Sequence, residues 1–145
     1  MFAGDVAGVI IRGGPPIPPF PPPDIHLESW KESLDKIRAL GPASLHITHF
    51  GKVDDPMRTL EDLEKRMFGW ADWMKRRLLE GKSETEIIPE FEKFAARELL
   101  AGGASPDDLN TYEQADPVSM SIAGLTRYWQ KYHPEKLQVE GWKDG

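Results

Sequence analysis

The chain has 145 residues, 39% hydrophobic and 29% charged, with a net charge of −6 and no cysteine, a length that suits one domain with a real core. Its lysines and arginines interleave with acids, which excludes the clustered basic face of a nucleic-acid binder. The lack of cysteine excludes disulfides, thiol nucleophiles and cysteine-held metals. No apolar run approaches the ~20 residues of a membrane span and no signal peptide is visible, so the sequence reads as cytoplasmic with no membrane partner.

In chain order, Met1–Ala3 read as the end of a buried strand and Val6–Ile11 as the start of another. Residues 15–23, PPIPPFPPP, carry seven of the thirteen prolines, and proline's fixed φ and missing N–H make this stretch extended polyproline-II. Two roles compete for it: a ligand for an aromatic groove, or a stiff connector across the face of a sheet pinned by Ile17 and Phe20. Leu27, Trp30, Leu34, Ile37 and Leu40 recur at helical spacing, and Gly41-Pro42 ends that helix. Leu45–His49 alternates like a short strand. Asp55-Pro56 caps a helix whose stripe is Leu60, Leu63, Met67, Trp70, Met74 and Leu78, closed by Gly81. Ser83–Glu86 has capping-box form, and a helix to about Leu100 ends at Gly102-Gly103. Pro89 lies far enough inside to predict a kink or a restart. Ser105–Asp108 starts a short helix. Asp116-Pro117 starts a last one with Val118, Ile122, Leu125, Trp129 and Tyr132 on one face, and the tail after His133-Pro134 is polar. Strands alternating with a helix, then a block of helices, predict an α/β layered fold with an α-helical extension.

Few residues look chemical. Asp5 follows a strand among apolar neighbours, where an acid needs a partner or a metal. His49 ends a strand at a Phe-Gly exit, a usual place for a functional side chain in an α/β sheet. Each also has a structural explanation: Asp5 as a turn cap, His49 as a donor to a neighbouring carbonyl. His46, three residues from His49, points to the opposite face of a strand. His26 and His133 read as solvated helix-end residues. No Ser-His-Asp arrangement and no phosphate-cradling glycine loop is present, and Trp70, Trp73, Tyr128 and Trp129 read as packing.

MFAGDVAGV, the proline crossing, SWKESLDKIRAL and LHITHFGKVDD together resemble the C-terminal half of a metallo-β-lactamase-fold hydrolase. The resemblance implies an α/β fold: residues 1–80 as the C-terminal part of an αββα sandwich with two or three strands, and residues 81–145 as an α-helical extension over the active-site mouth. It also implies two divalent ions, zinc with iron or manganese as substitutes, with Asp5 bridging both and His49 ligating the second. A metal-bound hydroxide would then attack a small ester, thioester or related substrate. The family's His-x-His-x-Asp-His motif is absent, so the resemblance implies a partial chain that is inactive alone. On that basis Met1 falls where a longer chain would pass through its sheet, and uncovered apolar faces imply a homo-oligomer. The alternative is a non-catalytic binding or interaction module that keeps part of the scaffold.

Overall fold

A computed structural model describes residues 2–4, 8–11, 14–20, 25–47, 51–53 and 55–137. Five helices carry the architecture: α1 (Leu27–Leu40), α2 (Pro56–Leu79), α3 (Glu84–Ala101), α4 (Asp108–Ala115) and α5 (Val118–Tyr132). Three strands of three residues each, β1 (Phe2–Gly4), β2 (Leu45–Ile47) and β3 (Gly51–Val53), form one small ribbon in the order β1-β2-β3. β1 runs parallel to β2, with Phe2 opposite His46, and β2 runs antiparallel to β3, with His46 opposite Lys52.

Local chemistry sets the helix ends. His26 caps α1, its Nδ1 accepting from the Ser29 backbone N–H, and Gly41 closes the helix in the left-handed region at φ 57°, where a Cβ would be strained. The Asp55 carboxylate accepts from the Arg58 N–H ahead of Pro56, whose missing N–H costs nothing at the first helical position. Ser83 and Glu86 complete a reciprocal capping box on α3. That helix then runs from Glu84 to Ala101 straight through Pro89. The expected restart does not occur, because Ile87 and Phe91, buried on either side, hold the helix while exposed Pro89 turns away from the core.

The core is one contiguous cluster from Val9 to Trp129. Its apolar stripe on α2 packs against α1, α3 and α5. The Trp70 and Trp73 rings each lie 5.4 Å from Phe91 at near-perpendicular angles, and Trp73 stacks on Phe94 at 5.1 Å, geometries favoured by the ring quadrupoles. Trp129 donates its indole N–H to the Ala71 carbonyl at 2.8 Å, joining α5 to α2.

The proline-rich segment is a connector, but it crosses helices rather than a sheet. Val9 and Ile17 exchange backbone hydrogen bonds of 2.9 Å, which turns residues 14–20 back as a strap. Tyr112 of α4 donates its hydroxyl to the Pro15 carbonyl at 2.8 Å, and Arg66 of α2 donates from Nη1 to the Pro16 carbonyl at 2.8 Å. Prolines cannot donate, but their carbonyls remain strong acceptors, so the helices supply every donor in these ties. Ile17 and Phe20 are buried, pinning the strap to the surface beneath it as expected of a connector.

These observations correct the expected fold. An αββα sandwich buries its core between two sheets and their covering helices. Among the described residues, the buried apolar side chains belong to the helices, to Val9, Ile10, Ile11, Ile17 and Phe20, and to Ala104, and the strands are three residues long. The chain is a five-helix fold, not the C-terminal part of a metallo-β-lactamase sandwich. The apolar faces of α1 and α2, expected to lack cover, are buried: Leu27, Leu34, Leu60, Leu63 and Met67 are all 0% exposed.

Candidate functional site

A pocket of about 290 Å³ opens between α2, α3, α4, α5 and the strap. Phe91, Ala95 and Leu99 recur every four residues on α3 and form one wall, because residues at that spacing share a helix face. Alanine at the centre of that row, with Ala96 beside it, leaves room where larger side chains would fill the gap. Trp70 of α2, Leu109 and Tyr112 of α4, Val118 of α5 and Ile17 of the strap complete the apolar lining.

The polar groups are few and gathered where α4 meets α5. Asp116 ends α4, its backbone N–H bonded to the Tyr112 carbonyl at 2.8 Å. The residue is 8% exposed, and its carboxyl group receives one long hydrogen bond, from the Ser121 hydroxyl at 3.4 Å to either oxygen. Burial pushes its pKa from 3.8 up to about 7, against the Ser121 bond and with help from the nearby Glu113 charge. Desolvation dominates because a carboxylate with one weak donor loses far more in hydration than it regains. Glu113, at the exposed rim, accepts the Val118 N–H at 3.2 Å, and burial still holds its carboxyl above the ordinary range. Glu92 and Asn110 lie at the mouth. Among the described residues lining the pocket there is no lysine, arginine or histidine. Trp70 is 3% exposed, and its indole N–H has no hydrogen-bond partner among the described residues.

A second polar group joins the two ends of the fold. The Glu28 carboxylate, at the start of α1, lies 2.7 Å from both the Tyr128 hydroxyl and His133 Nε2. Partial burial opposes ionisation of Glu28, but hydrogen bonds from Tyr128, its own backbone and His133 outweigh it, so its pKa is lowered. Burial, then the bond to Glu28, drives the Tyr128 hydroxyl well above its usual range. His133 is therefore not the solvated helix-end residue the sequence suggests, and His26 packs its ring edge-on against Tyr132 at 4.5 Å. A groove along α2 and α3, lined by Trp73, Phe94, Lys65, Arg66, Arg76, Asp62 and Glu98, mixes both charge signs over an aromatic shelf.

Asp5 and His49, the residues expected to bind metal, lie outside the described residues. Among the described residues no three histidine, aspartate or glutamate side chains converge as a metal site would require, and no helix is long and apolar enough to cross a membrane. Sequence reasoning missed Asp116 as a site residue and read it only as a helix starter. The available signal was an acid placed directly before a helix whose first turn buries Val118 and Ser121. The Glu28–His133 pair, 105 residues apart, left no local trace.

A scan against protein-family models finds no match, and neither the curated proteins nor the solved structures yield one. The resemblance to metallo-β-lactamase-fold hydrolases is thus a likeness of short motifs, and the helical architecture overturns it.

Proposed function

We propose that the chain is a binding module whose pocket between α3, α4 and α5 takes a small, largely apolar ligand. The observation that carries this reading is the pocket itself: a concavity of about 290 Å³ with aliphatic and aromatic walls and its polar groups confined to one end. Small-molecule sites are built this way, the apolar lining supplying affinity and a few placed polar atoms supplying orientation. The sequence alone offers a binding or interaction module only as the alternative to a metal-dependent hydrolase, and on a scaffold that the helical fold excludes.

Amide chemical-shift mapping with 2-phenoxyethanol tests the reading. Saturable shifts are expected at Ala95, Leu99, Leu109 and Val118, and Ala95→Trp, which fills the pocket from its α3 wall, is expected to abolish them while the helical circular dichroism is kept. Absence of saturable shifts up to ~10 mM with 2-phenoxyethanol and with its amine and carboxylate isosteres alike would overturn it.

A further inference from the structure

We propose that the ligand is a primary amine on an apolar body, its ammonium paired with Asp116 and its body laid along the Ala95 face of α3. This rests on the pocket being a binding site, and it names the chemical class that site selects. Three carboxyl groups face the pocket from three places: Asp116 at its buried end, Glu113 on α4 and Glu92 on α3 at the rim, with no basic side chain among the described lining residues. The charge complement of such a site is a cation. Glu113 already accepts the Val118 N–H, whereas Asp116 has only the long Ser121 contact for its two oxygens. A carboxylate offers about four lone-pair sites and an ammonium three donors, so an amine supplies what Ser121 leaves unmet.

The Trp70 ring lines the same pocket, and its indole N–H, closed to solvent, has no partner among the described residues. A compact primary amine is of a size that a pocket of about 290 Å³ holds.

The pairing has a proton balance. Near neutral pH the free pocket holds Asp116 partly protonated, since its pKa is about 7, and the ammonium pairs with the ionised form. Binding below that value therefore expels one proton from the Asp116 carboxyl to solvent. The groups facing Asp116 are Ser121 from α5 and Glu113 from its own helix, with Glu92 across the pocket on α3. The Glu113 charge opposes its ionisation, and a bound cation relieves that repulsion.

Calorimetric titration with three isosteres tests this: 2-phenoxyethylamine, 2-phenoxyethanol and phenoxyacetate, which share a ring and an ether acceptor and differ in charge. At pH about 8 the amine is expected to bind at least about tenfold tighter than the alcohol, and the acid to bind weakest. Amine affinity is expected to fall towards tenfold per pH unit below about 7, with proton release seen as a dependence on buffer ionisation enthalpy. Asp116→Asn is expected to erase the preference for the amine and keep alcohol binding. Equal affinity for amine and alcohol in the unaltered protein, or a preference that survives Asp116→Asn, would overturn the assignment while leaving the pocket a binding site. If none of the three binds, the binding reading itself fails and the amine assignment falls with it.

Discussion

Asp116 shows how one side chain couples the stability of the fold to pH. Its pKa is raised from 3.8 to about 7, so between those values the folded chain holds a proton that the unfolded chain has released. The contribution of Asp116 to stability then falls as pH rises through that window, the reverse of the usual salt-bridged aspartate, with a ceiling of ~4 kcal/mol for the full span. Asp116→Asn keeps the shape and the Ser121 hydrogen bond without the ionisation. It is expected to stabilise the protein at pH about 8 and to have little effect at pH about 4, a difference readable from paired urea melts. Equal destabilisation at both pH values would mean that the carboxylate is satisfied when ionised.

Two helical glycines predict opposite outcomes at the scale of the element. A Cβ on Gly124 of α5 would lie 2.0 Å from the Phe20 carbonyl oxygen of the strap, and neither backbone can yield without tearing the strap from the helix. Gly124→Ala is expected to cost roughly 2 kcal/mol or more, in the range of overpacked cores. A Cβ on Gly69 of α2 meets nothing within 4 Å. Gly69→Ala is expected to stabilise by about 0.5–1 kcal/mol through helix propensity alone. Thermal melts of the two variants check both signs, and a neutral Gly124→Ala would show that the strap does not press on α5. Elements were also the most legible level of the sequence. The 3–4 spacing from Leu60 to Met74, the Asp55-Pro56 start and the Ser83–Glu86 box each placed a helix, because those signals depend on neighbours within one or two turns. Pro89 does not restart the helix, because a helix anchored by Ile87 and Phe91 tolerates a lost hydrogen bond that an isolated helix would not.

At the scale of the whole molecule, long-range ties decide what local pattern could not. Tyr112 to Pro15, Tyr128 to Glu28 and Trp129 to Ala71 join segments 97, 100 and 58 residues apart. The sequence reads Val9 as part of a strand and Ile17 and Phe20 as pins of a connector, but does not say what they pack against. An apolar run beside prolines reads equally as a strand in a sheet or as a strap over helices, and motif order tipped the reading to a sheet. The candidate site was hidden for the same reason: its wall, mouth and buried acid come from α2, α3, α4, α5 and the strap, and no window of sequence contains them together. Its room comes from what is small, Ala95 and Ala96, and absence of bulk carries no local signal.

That five-sided construction is tested most directly by intermolecular nuclear Overhauser effects between methyl-labelled protein and 2-phenoxyethylamine at saturation. Contacts from the ligand ring to the methyls of Ala95 and Leu99 on α3 and of Val118 on α5 are the expected result, since those three side chains line the same pocket from two helices. Contacts confined to the Trp73–Phe94 groove, or saturable binding with no contact to any of the three methyls, would contradict it.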